Sequence, residues 1–337
     1  MLYGLNAVTL PKAEIQVLEK FYKNLLRRLQ GLPSSTANTA VYLLAGAIPL
    51  EGLLHKRCLS LFGQITRLPA DHPLKLLATR QLAMRDEKSS SWFVYVNIIA
   101  NKYDLNIHQI LEHPMKKSQW KSYCDGAIDQ YWQHNIICSS AEMSSMKYLI
   151  FNFPFQMHGI WASCRGNAHL VNKATTRAKM ICRRYSCGDS PWRKIPCLLC
   201  NHGIDDMHHI LSECHRIENE KIAAKKRELR LLYIEESLTT PESKTEMTSA
   251  ILNGDCFVSD ERTEVIKLKK NSRKGHTLAS VLCHEIHTRR DILSNEILIQ
   301  NEKDNDAPND TIIYSDLDAT IPYNYSDLDA TIPYSLE

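Results

Sequence analysis

Cys197, Cys200, His209 and Cys214 follow one another within eighteen residues in the pattern C-x2-C-x8-H-x4-C. No other feature constrains the chain as much, because four soft or borderline ligands this close in sequence are able to converge on one tetrahedral centre. A C-x-x-C turn offers two thiolates to one point. The H-x4-C pair is expected on one face of a helix beginning near Asp205. Four protein ligands leave no open position, so the expected ion is a structural Zn2+ in a small CCHC zinc knuckle. His208 adjoins His209 and would give H-x5-C, and His202 is also in reach; His209 is preferred and its neighbour stays open. The competing reading is buried reduced thiols beside surface histidines. So short a segment buries little apolar surface, and metal binding is expected to supply folding free energy on the order of 10 kcal/mol.

The rest of the chain reads as mainly α. Residues 10–30, LPKAEIQVLEKFYKNLLRRLQ, place Ile15, Leu18, Tyr22, Leu25 and Leu29 at three- and four-residue spacing, with Phe21 beside them. Thr9 is a possible cap, Pro11 suits a first turn and Gly31 a stop. Lys12, Lys20, Lys23, Arg27 and Arg28 form a basic stripe on the outer side. Further helices are predicted over 38–46, 50–66, 74–84, 91–103, 106–112, 116–134 and 140–150. In WKSYCDGAIDQYW (120–132), Trp120, Tyr123, Ile128, Tyr131 and Trp132 share one broad face and are expected in the core. A basic helix is expected over 170–185, a long charged one over 215–237 and another over 276–292. Strand signals are limited to IFNF (150–153) and CFV (256–258).

Composition sets limits on function. Of 337 residues 44% are hydrophobic, and no apolar run reaches the eighteen or so that a membrane span requires. No secretory signal is evident in MLYGLNAVTL. Eleven cysteines, odd in number and scattered, point to reduced thiols plus one metal site, hence to the nucleus or cytoplasm. From residue 301 onward stand nine acidic residues and one lysine, whereas the first 300 residues hold 40 basic and 29 acidic ones. A basic body suits a polyanion. Lys173, Arg177, Lys179, Arg183, Arg184, Arg193 and Lys194 surround the knuckle, with Trp192 and Tyr185 interleaved. Cations with aromatic rings suit RNA or single-stranded DNA. The acidic end carries YSDLDATIPY twice, at 314–323 and 325–334. Two copies do not build a solenoid, and this tail is expected to be disordered. The anticipated organisation is 1–68, a thumb-like helical region; 69–165, linker helices; 166–236, basic helix and knuckle; 237–296, a C-terminal helical region; and 297–337, the tail.

Several blocks carry a likeness beyond composition: MLYGLNAVTLPKAEIQVLEKFYKNLLRRLQGLP, TANTAVYLLAGAIPLEGLLHKRCLSLFGQI, RQLAMRDEKSSSWFVYV, KYDLNIHQIL and PCLLC…HHILSEC. Across roughly residues 1–290 the chain resembles the C-terminal part of non-LTR (LINE-type) retrotransposon reverse transcriptases, downstream of the polymerase palm. The resemblance implies a thumb in the first segment and a knuckle that holds RNA or DNA during target-primed reverse transcription, with Cys197, Cys200, His209 and Cys214 as its ligands. A palm supplied by another chain is then a possible partner. The family's polymerase centre is an aromatic-x-Asp-Asp turn. Here the sole Asp-Asp pair is Asp205–Asp206, in GIDDM, with glycine in place of the aromatic. The expectation is therefore a non-catalytic nucleic-acid-binding fragment. Its alternatives are a remnant without activity and a restriction-like endonuclease built on Asp255, Glu264 and Lys267, whose spacing has one residue too many. His284-Glu285-Ile286-His287 lacks the i, i+4 histidines of a zinc protease and reads as a helix face.

Overall fold

Apolar residues at helical spacing organise the chain, and the computed structural model contains twelve α-helices among its described residues. These are residues 4–86, 88–141, 143, 146, 148, 149, 155–185, 189, 190, 193–237, 244–253 and 265–305. The chain divides into two units, Met1–Ser294 and Asn295–Glu337. Residues 306–337, with both copies of the repeat, lie outside the described residues, as do IFNF and CFV.

The first helices are α1 (Lys12–Leu29), α2 (Asn38–Ala45) and α3 (Leu50–Thr66). Gly31, at φ 62°, closes α1: Leu32 N–H donates to Arg27 O at 2.9 Å and Gly31 N–H to Arg28 O at 3.1 Å. Only a residue without a Cβ adopts this left-handed stop without strain. Helix α1 rests on its neighbours through a narrower face than its periodicity suggests. Ile15, Leu18, Tyr22 and Leu26 are half-buried, whereas Phe21 is 56% and Leu29 70% exposed. Glu19 fixes its height, accepting from the Tyr42 hydroxyl and from Leu50 N–H at 2.8 Å. Burial raises the Glu19 carboxyl above its ordinary range, an effect that Lys23 and the backbone N–H groups of Leu50 and Glu51 oppose.

Helix α3 is the spine of the larger core. Cys58, Leu59, Phe62 and Ile65 are buried against α5 (Trp92–Lys102), α6 (Ile107–Glu112) and α7 (Lys117–Ala141), with Ala78 of α4 (Pro73–Met84) in the same cluster. Gly63 lets α3 and α7 approach: a Cβ there would stand 2.1 Å from Trp120 Cδ1. Trp120 Nε1–H donates to Leu59 O at 2.7 Å, so the buried indole is satisfied. Trp120 and Ile128 are core residues as expected, with Tyr131 and Trp132 packed against them; Tyr123 is instead 44% exposed. Helix α7 runs unbroken to Ala141, so the separate helix expected over 140–150 is replaced by its last turn and by non-α residues among those described.

A second packed region joins α8 (Gly159–Ser163), α9 (His169–Ile181), α11 (Lys244–Asn253) and α12 (Val265–Asn305). Ile160, Ala178, Ile181, Leu252, Leu282 and Ile286 are all buried. Helix α12 is far longer than the 276–292 expected, and α11 had no counterpart in the sequence pattern. Helix α10 (Glu220–Ser237) begins five residues later than expected, because 215–217 form a turn. Two short strands, β1 (Asp189–Ser190) and β2 (Arg193–Lys194), pair antiparallel just ahead of the cysteine cluster. No helix among the described residues is long and apolar enough to cross a membrane.

Candidate metal centre

The C-x-x-C segment folds as a tight loop closed by backbone hydrogen bonds. Cys197 N–H donates to Gly203 O at 3.1 Å, Asn201 N–H to Cys197 O at 2.8 Å, and Asp205 N–H to Ile195 O at 2.9 Å. Pro196 and Ile204 bridge antiparallel across its base. Asn201 (φ 55°) and Gly203 (φ 77°) take left-handed conformations. At Gly203 the lack of a side chain matters twice, because a Cβ would also stand 2.9 Å from His209 Nδ1.

The second pair of ligands comes from a winding the sequence did not announce. An α-helix turns about 100° per residue, so residues five apart diverge by about 140°. Residues His209–Glu213 instead form a π turn, in which Cys214 N–H donates to His209 O at 2.8 Å. That i→i+5 ladder stacks His209 and Cys214 on one side. The expectation of a shared helix face is right in outcome, but the α-helix expected to provide it is corrected to a π turn.

The four ligand atoms lie within 4.8 Å of one another. Cys197 Sγ and Cys214 Sγ are 3.8 Å apart, and Cys200 Sγ is 3.2 Å from His209 Nε2. Zn–S bonds of about 2.3 Å in a tetrahedron require sulfur–sulfur edges of about 3.8 Å, so the donor set fits the ion that its chemistry suggests. Burial, with the Cys197 sulfur alongside, pushes the Cys214 thiol up to about 12. A divalent metal would offset that penalty by holding the thiolate form of Cys214. The cluster would hold the metal with Cys197, Cys200, His209 and Cys214, all from the chain, in a closed structural site.

Surrounding groups settle the histidine ambiguity. His209 presents Nε2 to the sulfurs while its Nδ1 lies 3.7 Å from Glu213, the carboxylate contact typical behind a metal-binding imidazole. The His209 backbone N–H donates to Asp206 Oδ1 at 2.7 Å. Glu213 also lies 3.5 Å from His208 Nε2, so the difference is that His208 Nδ1 meets Thr248 Oγ1 of α11 at 2.9 Å and only His209 joins the four converging side chains. His202 faces the His215 ring. Sequence reasoning missed the clamp from α12, where Arg290 meets buried Asp205 at 2.7 Å and lies over the Tyr185 ring. The Asp-Asp pair is thus occupied, Asp206 as a cap on the π turn and Asp205 as the anion of a salt bridge. A charge pair 85 residues apart leaves no periodic signal.

The cations named from sequence separate into groups. Arg177 is corrected: it is fully buried, with its guanidinium donating to Leu252 O at 3.1 Å and to His276 O at 3.1 Å, and so is removed from any nucleic-acid surface. Arg27 is half-buried and committed to Thr36 O and Asn38 at the start of α2. Lys20, Arg28 and Arg184 are exposed; Lys23, Lys173, Lys179 and Arg183 are half-buried. Trp192 lies outside the described residues, and Arg193 and Lys194 are described as backbone in β2. Asp255 and Glu264 also lie outside them. Within the His284–His287 stretch, Glu285 pairs with Lys225 at 2.9 Å, Ile286 is buried, and Tyr185 hydroxyl meets His287 Nδ1 at 3.0 Å.

Fold and site together define a mainly helical protein with a Cys3His cluster compatible with zinc. No family model, no curated protein and no solved structure matches the chain.

Proposed function

We propose that this chain is a non-catalytic, zinc-dependent nucleic-acid-binding protein, corresponding to the region downstream of the palm in a non-LTR retrotransposon reverse transcriptase. The observation that carries this reading is the closed Cys3His cluster, which ties a loop, the π turn and, through Asp205, helix α12 into one unit. A four-ligand site supplies shape rather than a reaction. Arg184 is exposed at the end of α9, two residues after that helix's cap. Lys20 and Arg28 offer further cations on α1. The partner is RNA or single-stranded DNA, held chiefly through phosphates, and reduced thiols suit nucleus or cytoplasm.

The test is fluorescence anisotropy with a labelled single-stranded RNA across a salt series, with zinc and after chelation. Binding should be salt-steep and lost on chelation. Arg183→Gly with Arg184→Ala should weaken it and flatten the slope by about 1.4, for two phosphate contacts on a single strand. Glycine is chosen at Arg183 because its φ is 51°. A soluble, zinc-loaded chain that binds no RNA would overturn the reading.

A further inference from the structure

Between the end of α5 and the middle of α7 lies an open cleft of about 430 Å³. This is within the about 300–1,000 Å³ typical of small-molecule sites. On the α7 side stand Tyr123, Ala127 and Tyr131, at i, i+4 and i+8, which places them along one face. Ala127 is the small residue between two rings, so this wall has an indentation flanked by aromatic surface. Buried Tyr103 contributes behind them, its hydroxyl held at 2.7 Å from His55 Nδ1. The edge of Tyr103 meets the Tyr131 ring, with centroids 5.1 Å apart, so these rings are fixed rather than free to collapse inward. The rim is polar: Asp104 and Gln130 both line the cleft and are exposed.

Tyr123 is the residue that sets this wall apart from ordinary core. It belongs to the stretch whose aromatics otherwise pack inward, yet it stays 44% exposed at the cleft mouth. A ring left this exposed gains little by burial in the free protein. A planar heteroaromatic ring is the ligand that such a wall recognises, and a nucleobase satisfies the rim as well. Its edge N–H groups donate to the Asp104 carboxylate, and the Gln130 amide both donates and accepts.

We infer that this cleft is a nucleobase-binding subsite in which Tyr123 stacks on the base and Asp104 accepts from the base edge. The inference rests on the nucleic-acid reading for its natural ligand, a single base of a bound strand. It requires no metal and none of the cysteine cluster.

The test uses the full, zinc-loaded chain and guanosine 5′-monophosphate, whose base carries paired N–H donors, with ribose 5-phosphate as the control lacking a base. Saturation-transfer NMR and titration should show the nucleotide binding through its base protons and the control not binding. Tyr123→Ala should weaken the nucleotide by about 5- to 150-fold, the range of one base–aromatic stack. Tyr123→Phe should retain it, because the ring face and not the hydroxyl makes the contact. Asp104→Asn should weaken it while leaving Tyr123 in place. Equal binding of ribose 5-phosphate, or nucleotide binding indifferent to Tyr123→Ala, would overturn the subsite. If that happens while RNA binding stays salt-steep and zinc-dependent, the nucleic-acid reading stands without it. Nucleotide binding that is lost in Tyr123→Ala, in a chain that binds no RNA, would uphold the cleft and overturn the broader reading.

Discussion

Arg290→Ala should destabilise the protein by about 3 kcal/mol, although Arg290 lies far in sequence from the cysteine cluster it supports. The guanidinium sits 2.7 Å from Asp205 Oδ2, and the two side chains are 13% and 4% exposed. Removing one member of a buried pair leaves an uncompensated charge and costs about 3–5 kcal/mol. Residual exposure of the arginine places this pair at the lower end. Loss of its contact with the Tyr185 ring, 5.6 Å from the guanidinium carbon, adds to the effect. With a urea m-value of about 3 kcal/mol/M for a chain of this size, the midpoint should fall by about 1 M. Arg290→Lys should recover only part of it, because an ammonium does not reproduce the planar stacking. A double-mutant cycle with Asp205→Asn should return a coupling of about 1.5–3 kcal/mol. A midpoint shift below about 0.3 M, or no coupling, would refute the view that α12 clamps the knuckle through this pair.

Two further outcomes follow from the site and the core. His209→Ala should abolish stoichiometric zinc, read with a chromogenic indicator after thiol modification, whereas His208→Ala should keep one zinc per chain; equal retention by both would show that Nε2 of His209 is not a ligand. Acid should destabilise the fold from about pH 6.5 downward, where the histidines of the unfolded chain take up protons. Burial lowers His55 to about 4 and His158 to about 3, with Arg177 adding to the effect at His158. Both are neutral in the fold and take up protons when unfolded, near pH 6.5. Stability is therefore complete above that pH and falls toward pH 4, by about 1.4 kcal/mol per unit for each imidazole. His55→Gln should flatten urea midpoints measured between pH 6.5 and 4, and an unchanged slope would sink the assignment.

The legible parts of this chain are those where a local pattern and the tertiary outcome agree. Helices α2 to α6 fall where apolar spacing and prolines put them, and the convergence of three cysteines with a histidine follows from their spacing, which left His208 open beside His209. Arg177 was misread for a physical reason. On a basic helix it looks solvated, and its burial is decided by carbonyls of Leu252 and His276, on helices that follow much later. Helix α11, KTEMTSAILN, is short and mixed, so its apolar side emerges only once Ile251 and Leu252 meet α9. For α1 the period was right and the angle wrong. Glu19 is drawn in toward Tyr42 and Leu50, which turns Phe21 and Leu29 outward.

The π turn at His209–Glu213 makes the cluster unforgiving of length. A regular α-helix tolerates sliding by one residue better than a single wide turn does, since neighbouring turns share its ladder. Here one inserted or deleted residue between His209 and Cys214 changes both the winding and the face on which the second thiol emerges. The segment behaves as a gauge block: the number of residues between the two ligands is part of the coordination geometry. The identity of these residues is constrained as well, because Ile210 and Leu211 are buried and the Ser212 hydroxyl meets Thr248 Oγ1 at 2.8 Å.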